Sequence, residues 1–326
     1  MIKILKSMRW INRLIITCFA IGIVFVGCNK NDENDPITAP SDLKGVYVVG
    51  TGSNDNGDVA KLWIDGAAQN LTGGTSPYSV TRAYSIYVSG EDVYVAGWGG
   101  GAILWKNGIA QNLTNDSSDD AISVFVSGNN VYVAGKVGFN SDAILWKNGV
   151  AQTLAKAVTY GSWANSVYVS GSDVYVAGCV EINAALWKNG VVQYLPNDGY
   201  MSEAFSVYVS GRDVYVVGEI GRPVLWKNGV LQYLDETENG NANCVFVSGQ
   251  DVYVAGGIDG NAVLWKNGVA QTLATNANAN SVYVSGGDVY VVGAIGNNAV
   301  LWKNGTARYF SAPGINNSVA NSVFVK

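Results

Sequence analysis

Twenty-five acidic residues and not one histidine set the limits of what this 326-residue chain can do. Without an imidazole, nucleophile triads that pass a proton through histidine are excluded, as are zinc sites that use it as a ligand. The chemistry left over is that of carboxylates. Fourteen of the acids fall in segments of varying length and content, among them Asp116, Asp119, Asp120, Glu181 and Glu219. Two carboxylates flanking a glycosidic bond can cleave it, so a polysaccharide-active hydrolase or lyase is one class the sequence permits. Hard cations also prefer such oxygens. "NDNGD" (54–58) and "NDSSDD" (115–120) suggest calcium, although neither has the spacing of the helix-loop-helix calcium loop. No other cofactor and no metal site is expected, and no catalytic set can be assigned.

Aromatic residues share these segments: Trp98 in "GWGGG", Trp163, Tyr160 and Tyr200. Aromatic faces beside carboxylates and amides stack on sugars or anchor protein partners. With no coherent catalytic set, the favoured reading is a non-enzymatic module that binds a protein or a glycan. Its candidate contacts are Trp98, Trp163, Tyr160, Tyr200, Asp116, Asp119, Asp120, Glu181 and Glu219. The competing reading is that the aromatics only plug or brace the scaffold.

Such loops need a rigid frame, and the sequence writes one. Leu-Trp-Lys-Asn-Gly occurs six times, with Leu62-Trp63-Ile64-Asp65-Gly66 as a seventh copy. The tryptophans (Trp63, Trp105, Trp146, Trp187, Trp226, Trp265, Trp302) are spaced by 42, 41, 41, 39, 39 and 37 residues. A period near forty must be read before anything else. In the unit from Ser166 to Leu195, two Val/Tyr-rich strands flank Gly171-Ser172, and two more flank Asn189-Gly190. Asn-Gly is the strongest short hairpin signal, because a type I′ turn needs positive φ at both central residues. No helix-period segment separates the units, which excludes a parallel α/β arrangement.

Seven copies of a four-stranded antiparallel unit resemble a seven-bladed β-propeller, an all-β fold, over residues 45–326. The tryptophan-aspartate and kelch signatures are absent, so the resemblance carries no subfamily's function with it. It implies that blade faces pack on one another, with the seven tryptophans as inter-blade packing and not seven equivalent ligand sites. The ends agree with a closed ring. Gly45–Gly50 matches a second strand without a first, and Ser322–Lys326 a first strand without a second, so the C-terminal strand is expected to complete the first blade. In such a meander the Ser-Gly and Asn-Gly turns share one face. The variable connections share the other, which is where binding is expected, and it is expected to be acidic.

The N-terminus has a different logic. Basic residues up to Arg13 precede an apolar run ending at Phe25-Val26-Gly27-Cys28. That pattern resembles a bacterial lipoprotein signal peptide (1–27), with Cys28 as the acylated first residue of the mature chain. Residues 28–44 read as a flexible acidic tether. The resemblance implies a membrane partner through the lipid and a cell-envelope location, as an outer-membrane lipoprotein that can face the surface. Loss of the leader removes four cations and takes the formal charge from −5 to −9. A chain so acidic has no basic stripe for nucleic acid. A monomer is expected, and Cys179 and Cys244, two units apart, are expected to stay unpaired.

Overall fold

The computed structural model describes residues 43–55, 57–74, 80–236, 239–310 and 317–326. The expectations for the leader, for Cys28 and for the tether up to residue 42 lie outside them. Within them the chain forms twenty-eight strands, numbered in chain order from β1 (Val46–Asn54) to β28 (Asn317–Val325), in seven four-stranded antiparallel sheets. Blade 2 is a plain meander of β4 (Arg82–Ser89), β5 (Asp92–Trp98), β6 (Ala102–Lys106) and β7 (Ile109–Asn112). Blade 1 has the order β28-β1-β2-β3, where β2 is Gly57–Ile64 and β3 is Ala67–Leu71. Tyr47 pairs with Phe324, Val48 with Val323, and Lys326 N–H donates to Gly45 O at 2.9 Å. The last strand therefore closes the ring on the first blade. Leu43 is buried with Trp63 and Phe310, so the packed body includes a residue two positions before the repeat pattern.

The turns follow the residue chemistry. Asn107, Asn148 and Asn189 have φ of 52°, 51° and 53°, and the glycines after them 78–80°, as type I′ turns require. In blade 2 the Asn107 carboxamide accepts from Val93 N–H and donates to Asp92, each at 2.8 Å. Lys106 pairs with the same carboxylate at 2.8 Å and lies over the Tyr94 ring. Blades 4 to 7 repeat the cluster. These pairs are exposed and stabilise little singly; their effect is to fix the hairpin. The polar groups of this face are thus engaged with one another.

All seven motif tryptophans are 0–1% exposed. Trp105 joins Leu62, Leu71 and Ala60 of blade 1, while Leu104 on the opposite side of its strand faces Val124 and Val133 of blade 3. Each blade therefore buries both faces, which is why its strands read as unbroken apolar runs. Burying one indole removes about 150–250 Å² from water, roughly 4–6 kcal/mol gross. Cys179 and Cys244 are both free.

Candidate functional site

The innermost strand of every blade carries the same defect. Register slips by one residue between Ala83 and Ser85, and likewise at the equivalent place in the other six blades. Such a bulge leaves two consecutive side chains on one side of the strand, here toward the central axis. The partner across the bulge is always glycine. A Cβ on Gly97 would stand 2.0 Å from Arg82 O, and one on Gly218 1.9 Å from Glu203 O. No larger residue fits.

The bulge builds the channel in tiers. At the variable face the rim is Arg82, Asp120, Trp163, Glu203, Asn241, Asn278 and Val319. Beneath it are Tyr84, Ile122, Asn165, Phe205, Asn243, Asn280 and Asn321. Six serines and Cys244 follow, and together these two tiers line an axial cavity of 450 Å³. The serine tier also ties blade to blade: Val124 N–H donates to Ser85 Oγ, and Val167 N–H to Ser123 Oγ, both at 3.2 Å. The asparagines do the same, Asn243 and Asn280 each donating to the next blade's alanine carbonyl at 2.9 Å. These bonds leave serine hydroxyl hydrogens and asparagine carbonyl oxygens for a ligand.

The floor is aromatic. Tyr87, Phe125, Tyr168, Tyr208, Phe246, Tyr283 and Phe324 form an unbroken ring with centroids 4.7–5.2 Å apart and planes tilted by 47–58°. By heptagon geometry each ring stands about 5.6 Å from the axis, at edge-to-face spacing. Burial raises the four phenols, Tyr283 to about 12, so all stay protonated donors at neutral pH.

Several residues singled out from sequence stand at the rim or directly behind it. Trp98 lies beside Arg82, whose guanidinium is 5.5 Å from its ring, and its indole donates to Ser117 O at 3.0 Å. Asp120 pairs with Lys136 at 3.2 Å and accepts from Tyr84 Oη at 3.3 Å. Trp163 donates its indole N–H to Glu203, which also accepts from Asn165 at 2.7 Å. Glu219 is Glu203's cross-strand partner.

Other candidates brace loops, their own or the neighbouring one of the same blade. Asp116 caps Ser118 through backbone and hydroxyl. Asp119, 4% exposed, accepts from Gly138 N–H at 2.6 Å. The Glu181 carboxylate accepts three successive N–H groups, of Val158, Thr159 and Tyr160, which hold its pKa below the ordinary value. Tyr160 rides exposed on that loop. Tyr200 lies elsewhere, in a second cavity with Asp198, Arg222, Tyr233 and Asn239. The acids of "NDSSDD" are thus each engaged, and no group of three metal-ligating residues occurs among the described residues. Part of "NDNGD" lies outside them; its Asp58 is held by Ser53 and Arg82 at 2.6 and 2.7 Å. The rim is not uniformly acidic, since its carboxylates gather on blades 3 to 5.

The asparagine, serine and aromatic tiers were not anticipated. Their signal is the polar doublet Asn-Ser inside a valine-rich strand, as in "ANSVYVS", where alternation breaks opposite an ever-present glycine.

Against known proteins, no family model matches the chain and no curated protein matches it. Solved structures do. The WD40 β-propeller domain of Doa1 is similar with a TM-score of 0.53 at 15% identity, over 87% of this chain and 90% of that one. The chain is a seven-bladed β-propeller. The extracellular domain of a hybrid two-component system, BT4673 from B. thetaiotaomicron, gives 0.50 at 8% identity over 84% of the propeller chain and 38% of that solved chain. The computationally designed protein Ika8 gives 0.48 at 18% identity, over 81% and 80% of the two chains.

Burial and the adjacent Glu203 carboxylate hold Glu219 above the ordinary carboxylate range. A carboxyl that binds its proton more tightly when folded loses stability as pH rises from its ordinary 4.5 through the folded value. Glu219→Gln is therefore expected to raise the melting temperature at about pH 7 and to leave it unchanged in acid, a difference read by thermal unfolding across pH.

Proposed function

We propose that this propeller is a non-enzymatic binding module of the cell envelope, tethered by acylated Cys28 in the outer membrane, that takes a protein or glycan ligand at its axial cavity. The observation that carries the reading is the division of labour along the bulged strands. The serine and aromatic tiers are nearly uniform, while the rim above them carries six residue types over the seven blades. A constant floor under a variable rim is what a scaffold adapted to one ligand requires. The floor supplies aromatic rings and four phenol donors, and the two tiers above it supply hydroxyl donors and carboxamide acceptors. Screening the mature chain on glycan and protein arrays should find a ligand whose affinity falls at least tenfold when Asn243 and Asn280 are both replaced by alanine. Binding untouched by that pair would refute the axial site.

Glu203 and Glu219 favour one alternative. A half-buried carboxyl whose pKa is raised by burial and by a neighbouring carboxylate suits acid-base cleavage of a polysaccharide. That reading requires product release that Glu219→Gln abolishes while ligand binding persists.

A further inference from the structure

The rim is lopsided. Blades 2 to 5 present bulky or charged cross-strand pairs: Arg82 with Trp98, Asp120 with Lys136, Trp163 with Cys179, and Glu203 with Glu219. Blades 6, 7 and 1 present Asn241 with Gly257, Asn278 with Ala294, and Val319 with Thr51. Where bulk is missing, the wall of the axial cavity opens. A cavity of 430 Å³ shares Tyr84 and Asn321 with the axial one, and a further cavity of 260 Å³ shares Asn278, Ala294 and Gly296 with the second. The three lie side by side, each sharing lining residues with the next, from the axis outward across blade 7. The first two are each the size of a small-molecule site, about 300–1,000 Å³, so the whole suits an oligomer.

Its lining chooses among oligomers. Asn278 accepts from Ala294 N–H at 2.8 Å, which leaves its amide hydrogens as donors. Asn321 donates to Ala83 O at 2.8 Å, which leaves its carbonyl as acceptor. Ser318 accepts from Ala299 N–H at 2.9 Å and keeps its hydroxyl hydrogen. The one charged pair here, Arg82 and Asp58 at 2.7 Å, neutralises itself. A chain of hydroxyls finds donors and acceptors along this path, with the Tyr84 ring at its inner bend. Among the described residues, the outer groove offers a peptide anchor only Ala294 and Val319 beyond the Tyr84 ring, and the larger apolar side chains, Ile122 and Phe205, stand in the axial cavity. An acidic chain meets the carboxylates of blades 3 to 5 across the rim.

We propose that the groove through blades 6, 7 and 1 is an extended subsite for a neutral oligosaccharide whose end sits in the axial cavity. The inference rests on the axial site being a binding site. Its test titrates the mature protein calorimetrically with neutral glucan, mannan and xylan oligosaccharides of two and six units, with oligogalacturonate, and with an unrelated peptide library.

A neutral hexasaccharide should bind at least tenfold more tightly than its disaccharide. Asn297→Trp, at an exposed position of the outer groove, should abolish that advantage while leaving disaccharide affinity and melting temperature unchanged. Equal affinity for the two lengths, or a hexasaccharide indifferent to that tryptophan, overturns the groove but keeps the axial site. Binding of peptide or oligogalacturonate alone overturns the neutral glycan while keeping a binding module. Failure of every probe, with both tiers intact, overturns both readings.

Discussion

A chain that stops before β28, lacking residues 317–326, is expected to melt about 10 °C or more below the intact protein. The strand supplies Ala320, Val323 and Val325 to the cluster that joins blades 7 and 1, where they are 0%, 4% and 7% exposed. Each large apolar side chain so buried contributes about 1.5–3 kcal/mol. Its loss also strips β1 of a ladder running from Val46↔Val325 to Ser53↔Asn317. That opens an inner edge facing the channel, which invites association as well as unfolding. Four contacts bind the end of the chain to blade 2 besides: Ser322 Oγ accepts from Ile86 N–H at 3.4 Å, Asn321 donates to Ala83 O, Phe324 meets the Tyr87 ring, and Lys326 pairs with Glu91 at 2.9 Å. The truncation therefore releases one blade and one blade-to-blade seam together. A synthetic peptide of residues 317–326 added in trans should restore the transition. Differential scanning calorimetry reads both arms. An unshifted melt would mean that the ring does not depend on its closure.

Closure was legible because it is written in the repeat itself, as a unit missing its first strand and a terminus with one to spare. The hairpins and the packed tryptophans were legible for the same reason: local turn chemistry and seven-fold recurrence leave one solution. The binding surface was not, because it occupies the positions where the repeat varies. At residues 84, 122, 165, 205, 243, 280 and 321 the strand carries Tyr, Ile, Asn, Phe, Asn, Asn and Asn. On strict alternation half of the rim-to-floor residues would point into a blade. Only the bulge, made possible by Gly97 and its six counterparts, turns adjacent residues to the axis together.

The partners of the loop carboxylates were hidden for a different reason. Asp119 and Glu181 read as exposed acids available to a ligand, whereas each satisfies backbone N–H groups that would otherwise be unpaired. Nothing in composition separates a carboxylate that braces a neighbouring loop from one that only faces solvent. The same holds for Tyr200, whose loop carries it to Arg222 and Tyr233 and away from Trp163.

The tryptophans give the second large effect. Trp226→Ala is expected to cost about 3–5 kcal/mol, the range for deleting a buried aromatic side chain. Trp226 is fully buried between blades 4 and 5 with Ala184, Leu195 and Val207, and its indole donates to Pro196 O at 2.8 Å. A finer comparison separates packing from hydrogen bonding. Trp187 is equally buried, yet its indole nitrogen has no acceptor among the described residues. Replacing either by phenylalanine keeps most of the apolar volume. At 226 the change leaves the Pro196 carbonyl without its donor, whereas at 187 it removes a buried N–H that had no partner. Trp226→Phe should therefore destabilise more than Trp187→Phe, by about 1–2 kcal/mol in urea unfolding. Ligand affinity at the axial cavity should be unchanged in both, because these indoles lie between blades and none reaches the channel. Equal costs at the two positions would mean that the indole bond to Pro196 adds nothing to the packing. Lost affinity at native stability would mean that the tryptophans belong to the site and not to the frame.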